Sequence, residues 1–142
     1  MSDCIFCAIV EGRAPASIVY SDELCCALMD VRPVNQGHIL VIPRKHAACL
    51  AELDEETGAQ VFRVAQRIAA AIRRANLPCE AINLHLADGA AAGQEVFHVH
   101  LHVLPRYRGD GFGLRFGPHY GERPPRVELD ALAADIRALV ER

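Results

Sequence analysis

No apolar stretch in this chain approaches the roughly 18 residues that a membrane-spanning helix requires, so no membrane partner is expected. Nor is there an excess of basic charge. Fifteen Lys and Arg stand against 18 Asp and Glu, a formal net charge of −3. That balance argues against a sequence-independent coat for DNA or RNA, and polymeric nucleic acid is not an expected partner. It leaves open a small anionic ligand, because a local cluster of donors can bind phosphate on an acidic protein. The opening residues Met1-Ser2-Asp3-Cys4 carry neither a basic segment nor the apolar segment of a secretory leader, which makes a cytoplasmic location the default expectation. Internal repeats, low-complexity tracts and obvious linkers are also missing, and 142 residues suit one domain with one substantial core.

Cysteine is plentiful: six residues, at positions 4, 7, 25, 26, 49 and 79. Without a secretion signal, a Cys-x-x-Cys pair points to metal or redox chemistry rather than to disulfides. Cys4-Ile5-Phe6-Cys7 has zinc-ligand spacing, and His46 follows an apolar segment further on. A structural zinc needs four nitrogen or sulfur ligands, so one more histidine would complete a Cys2His2 set. The alternative is a pair of thiols in an N-terminal hook. A thioredoxin-type motif fits less well, since it normally sits near a βαβ pattern. Cys49, three residues beyond His46, is a competing ligand. The adjacent Cys25 and Cys26 would point to opposite faces of a strand, with at least one in the core.

The periodicities outline an α+β fold with an antiparallel sheet. Ile18–Tyr20 and Leu24–Met29 flank Ser21-Asp22-Glu23 as a hairpin. His38–Pro43 is a third strand, Ile82–Leu86 a fourth and Gln94–Leu104 a fifth. Glu55–Ala75 is the strongest helix, with Val61, Val64, Ile68 and Ile72 on one stripe and Asp54 as N-cap. Leu129, Leu132, Ala133, Ile136 and Val140 mark a closing amphipathic helix.

The most informative stretch is His98-Val99-His100-Leu101-His102-Val103-Leu104. Three imidazoles alternate with three apolar residues, the two-residue period of a strand. Val99, Leu101 and Val103 would face the core and the histidines the opposite face. Along a strand the outer two Cα atoms lie roughly 14 Å apart. Three such histidines cannot readily share one zinc with bonds of about 2 Å, so the row should divide its labour between at least two tasks.

This stretch resembles the histidine-triad (HIT) motif, His-φ-His-φ-His-φ-φ with φ apolar. Cys4-Ile5-Phe6-Cys7, Asp30-Val31-Arg32-Pro33, Gly37-His38-Ile39-Leu40-Val41-Ile42-Pro43 and Gly93-Gln94-Glu95-Val96-Phe97 follow the order and spacing of bacterial, zinc-bearing HIT proteins. The resemblance covers residues 3–108, which implies one HIT-like domain over 1–142 with a C-terminal extension from 109. It implies a five-stranded antiparallel sheet with one long helix and a C-terminal helix, a structural zinc and a homodimer.

It further implies hydrolysis at the α-phosphate of a purine nucleotide conjugate, a nucleoside phosphoramidate or a dinucleoside polyphosphate. His100 would be the nucleophile, forming a nucleotidyl-histidine that water releases. His102 and His38 would contact the phosphate or protonate the leaving group, and Gly93 and Gln94 would add donors. Asp30 matches a ribose-binding acid, and Phe6, Ile9, Leu28 and Val31 match the apolar positions around the base. His98 would join Cys4, Cys7 and His46 as the zinc ligand. His85 and His119 match no motif and are expected to be a strand and a loop histidine. Two positions depart from the pattern. Ala87 replaces an Asn or Gln that contacts substrate, and Glu95 replaces a phosphate-donating Ser or Thr. By strand alternation Glu95 would point away with Phe97 and Val99. The rival activities are nucleotidyl transfer and nucleotide-dependent regulation with little turnover.

Overall fold

The computed structural model describes residues 3–140. Met1 and Ser2, where the expectation about a leader begins, lie outside them. The chain divides into two compact units, one through Phe112 and one from Gly113. The first holds helix α1 (Ile5–Val10), strands β1 (Ile18–Ser21), β2 (Cys25–Met29) and β3 (Ile39–Pro43), helix α2 (Glu55–Arg74), and strands β4 (Ala81–His85) and β5 (Leu101–Arg106). The five strands form one antiparallel sheet in the order β1-β2-β3-β5-β4. The second unit holds α3 (Arg126–Leu139), none of whose residues is buried. No helix among the described residues is long and apolar enough to cross a membrane.

The two sheet faces carry different cores. Cys25, Ala27, Ile39, Val41, Leu101 and Val103 pack against Val61, Val64, Ala65, Ile68 and Ile72 of α2. Each fully buried Val or Ile contributes about 1.5–3 kcal/mol relative to exposure. Cys26, Leu28, Leu40 and Ile42 face the other way, beneath Phe6 of α1. Cys25 and Cys26 therefore enter opposite cores, and both are buried. Asp54 caps α2 by accepting from the Thr57 N–H at 2.9 Å. Glu55 and Glu56 at its start, with Arg73 and Arg74 at its end, complement the helix dipole. The β1–β2 turn is held by Asp22, which accepts from the N–H groups of Leu24 and Cys25, the Tyr20 hydroxyl and Gln60 of α2. Burial opposes its charge, but these donors outweigh that and bring its carboxyl down to about 2.

Most expected element ends move by one residue, and two elements differ more: α1 is additional and β5 starts late. The helix α1 has too few residues for a helical period to be legible; Cys4 caps it through its sulfur. The expected fifth strand over Gln94–Leu104 begins only at Leu101, and it runs on to Arg106. Its partner explains the late start. Pairing of Val41 with Leu101 leads towards Pro43, which has no N–H to give a ladder. There the Pro43 carbonyl accepts from the His98 ring and the Ala47 carbonyl accepts from the Val99 N–H. Residues 94–100 are thus fixed by the loop after β3. At the other end β4 prolongs the strand by pairing Ile82 with Pro105 and Ala81 with Arg106.

Candidate active site

Each triad imidazole is held by a different partner, and the partners determine which nitrogen carries the proton. The His100 Nδ1 lies 2.8 Å from the His98 carbonyl oxygen. A carbonyl only accepts, so Nδ1–H donates and the Nε2 of neutral His100 holds a lone pair. His98 has the opposite arrangement. Its Nε2–H donates to the Pro43 carbonyl at 2.8 Å, which leaves the Nδ1 lone pair free to ligate.

His102 takes its state from His38. The backbone N–H of Val34 donates to His38 Nδ1 at 3.0 Å, so the ring proton of neutral His38 sits on Nε2. That Nε2–H donates to His102 Nδ1 at 2.9 Å, with the Asp30 carboxylate 3.5 Å away. His102 must then carry its own proton on Nε2. Burial first, then the neighbouring His100, His38 and His85, bring the pKa of His102 down to about 4. His38 is also held low by burial, with Asp30 opposing. With both rings neutral, the row presents one nucleophilic lone pair at His100 and one N–H donor at His102. The Asp30–His38–His102 group gathers three ligand-type atoms. The Val34 N–H nevertheless keeps a proton on the nitrogen that His38 would need for a metal.

The local sequence accounts for this placement. Gly37 has φ +90°, and a Cβ there would lie 3.2 Å from Leu77 Cδ1, so no side chain fits without strain. The turn it makes delivers His38 to the start of β3. Leu40 pairs with His102 in the ladder, which puts His38, Leu40 and His102 on one face. On that face His98 and His100 are buried and His102 is half-buried. Phe6 of α1 covers them, with ring centroids 5.7 Å from His98 and 5.2 Å from His100.

The second cluster gathers Cys4, Cys7, His46 and His98. Cys4 Sγ lies 3.4 Å from His98 Nδ1, and Cys7 Sγ lies 3.3 Å from His46 Nδ1 and 3.6 Å from His98 Nδ1. The two Nδ1 atoms are 3.2 Å apart. Tetrahedral zinc with Zn–N of about 2.0–2.1 Å and Zn–S of about 2.3 Å requires edges of roughly 3.3 Å between nitrogens and 3.6 Å between nitrogen and sulfur. The donor set and its spacing fit that ion. The Pro43 carbonyl behind His98 supplies the kind of outer hydrogen bond that would orient this imidazole towards a metal. Cys49 is outside the cluster.

The remaining predicted residues fall into three groups. Leu28 is buried in the core beside Phe6, Ile9 packs against that core, and Val31 is 90% exposed. Asp30 lies half-buried beside His38, its Oδ1 accepting from the Arg32 N–H. Gly93 and Gln94 build the loop before the triad. Gly93 has φ +92° and its N–H donates to the Ala90 carbonyl, while the Gln94 N–H donates to the Gly89 carbonyl. The Gln94 side chain accepts from the Gly89 N–H and donates to the carbonyls of Ala48 and Val96. The N–H groups of these two residues and the Gln94 side chain thus have protein partners in this structure, partners that no sequence pattern displays. Glu95 is exposed and reaches Arg32 at 3.5 Å. It points to solvent, though not by strand alternation, because no strand exists there. Ala87 is buried.

His85, which matches no motif, stands closer to the triad than its place in the sequence suggests. It pairs with His102 across β4 and β5, so both rings stand on one face, with centroids 5.5 Å apart. The signal was present as a fourth histidine in a strand-like run, but only the β4–β5 register reveals its neighbour. His119, by contrast, is exposed and meets only Glu122, at 2.9 Å.

A sheet with this strand order and a histidine row at the start of β5 defines a class, and comparison with known proteins agrees. The HIT domain family model matches residues 11–109, and the chain belongs to the HIT family. The crystal structure of a HIT family protein from Bacillus anthracis superposes with a TM-score of 0.91 at 38% identity, covering 99% of each chain. A Zn-bound histidine triad family protein from Mycobacterium smegmatis superposes with a TM-score of 0.75 at 42% identity, covering 97% of this chain and 98% of that one. The adenylylsulfatase HINT3 of Arabidopsis thaliana is 37% identical over 109 residues, 77% of this chain and 55% of its own length.

Proposed function

We propose that the protein is a nucleotide hydrolase that cleaves at an α-phosphate through a nucleotidyl-His100 intermediate. One observation carries the reading: the His98 carbonyl holds the Nδ1 proton of His100 and so frees Nε2 for attack. A neutral imidazole is a competent nucleophile near pH 7, and the adduct divides one hard displacement into two easier ones. In the first step the Nε2 lone pair forms a bond to phosphorus as the bond to the leaving group breaks. An amine leaves with a proton from water; a phosphate or sulfate leaves as an anion. In the second step water attacks phosphorus and loses a proton to solvent as the P–N bond breaks; the electron pair returns to His100 Nε2 and the nucleoside monophosphate is released. The His102 Nε2–H donates to a phosphoryl oxygen in both steps, where charge-assisted bonds favour the transition state.

Asp30 would accept from the ribose hydroxyls, and Ile9, Leu28 and Val31 would bound a purine alongside Phe6. Gly93 and Gln94 contribute by shaping the loop that carries the triad. The name of the plant relative, adenylylsulfatase, supports a nucleotide anhydride with an anionic leaving group. Cys4, Cys7, His46 and His98 would hold a structural zinc that ties α1 to the triad strand. The thiols of that site suit the reducing cytoplasm. Both compact units would serve one domain, assembled as a homodimer through a sheet edge and α2.

Rapid quenching after mixing with an adenosine phosphoramidate or a diadenosine polyphosphate tests the reading. Mass spectrometry should find an adenylyl group on His100, and adenosine monophosphate should follow. Adduct passed to an added phosphate acceptor in preference to water would identify a transferase. Nucleotide binding with neither adduct nor product, on both substrates, would identify a regulatory binding protein and refute the hydrolase.

A further inference from the structure

We propose that His85 is a leaving-group contact that biases this chain towards substrates whose leaving group carries a phosphate or sulfate oxyanion. The inference rests on the hydrolase reading and extends it to the side of the site opposite the nucleoside.

The sheet order supplies the direction. Leu28 and Asp30 lie on β2 and at its end, and Phe6 stands above them on α1. His38 begins β3, and His100 and His102 lie at the start of β5. Reading β2-β3-β5-β4 across the face thus passes from the nucleoside end to the attacked phosphorus and then to β4. A group beyond the phosphorus lies over β4, where the site-facing residue is His85. Its ring is 5.5 Å from that of His102, which in turn is 5.0 Å from that of His100. The three imidazoles form a continuous step from nucleophile to sheet edge.

His85 also has the exposure this task requires. It is exposed, unlike His98 and His100, and its strand is the last in the sheet, so the position opens to groups of varied size. Its side chain stands on the sheet face, so pairing of the β4 edge with another strand would not consume it. Asp88, three residues further along the chain, is engaged elsewhere, accepting from the Leu50 N–H. His85 is felt electrically at His102, whose proton affinity it lowers. An imidazole N–H here supplies a donor to an oxyanion in a pocket that has lost other polar partners. Ala87 has no donor, and the Gln94 amide is spent on carbonyls.

The test compares wild type, His85→Ala and His85→Gln on diadenosine polyphosphate and adenosine phosphoramidate, with binding of ADP and AMP measured by calorimetry. A hydrogen bond to a charged group implies about a tenfold effect or more. The ratio of kcat/KM for polyphosphate over phosphoramidate should fall by about that factor in His85→Ala, with partial recovery in His85→Gln. The preference for ADP over AMP should collapse in parallel. An unchanged ratio with an unchanged ADP preference would overturn the assignment. If wild type forms no adduct and turns over neither substrate, the hydrolase reading fails by itself. The ADP/AMP comparison then still decides whether His85 meets the second phosphate.

Discussion

The two faces of the sheet are built from the same strands and held by different physics. Facing α2, the strands present Cys25, Ala27, Ile39, Val41, Leu101 and Val103, a surface without polar side chains. On the other face the chain places four imidazoles: His98 and His100 against Phe6 of α1, and His38 and His102 bonded to each other. The first face is specified by volume, and any apolar residue of similar size can serve there. The second is specified by proton placement. Each of the four rings there has at least one nitrogen held by a designated partner, and no fully buried side-chain polar atom among the described residues is left without one. Substitutions on the α2 face should therefore register in stability, and those on the imidazole face in chemistry.

The sharpest break of that comparison is His100→Ala. Turnover should fall by roughly 10⁴-fold or more, as for loss of a nucleophile, with the adenylyl adduct absent from quenched samples. Next is the paired variant Cys4→Ser/Cys7→Ser. Metal analysis should show one zinc per wild-type chain and none in the variant, together with a lower Tm; equal metal in both would refute the ligand set. On the α2 face, Ile72→Ala should cost about 2–5 kcal/mol by chemical denaturation, while the folded fraction keeps its adduct rate.

A smaller effect should come from pH. His102 is about 4 when folded and about 6.5 when unfolded. The unfolded chain therefore binds the extra proton first, and stability should fall as pH drops from about 6.5 to about 4. His102→Gln should flatten that part of the profile measured by denaturant midpoint. Asp54→Ala should have the least effect, about 1 kcal/mol through loss of the α2 cap, with no change at the site.

The fold was legible wherever periodicity was long. The stripe on α2, its Asp54 cap and the β1–β2 hairpin all follow from spacing. So does the alternation of Val99, Leu101 and Val103 against the histidines. The strand starts later than its alternation suggests because Pro43, 58 residues before Leu101, ends its ladder. The helix α1 was illegible because six residues cannot display a period. At the site, Cys-x-x-Cys and the histidine row announced their residues, and the resemblance grouped them. What stayed hidden depends on backbone partners. The Pro43 and His98 carbonyls, the Val34 N–H and the β4–β5 register determine which imidazole nitrogen is free and which histidine stands beside His102.

The division of labour along the row is the central claim, and nitrogen-15 NMR of the histidine rings reads it directly. For neutral rings, His100 should appear as the Nδ1–H tautomer with an unprotonated Nε2, and His102 as the Nε2–H tautomer. A His100 ring protonated at Nε2, or two identical tautomers at His100 and His102, would contradict it.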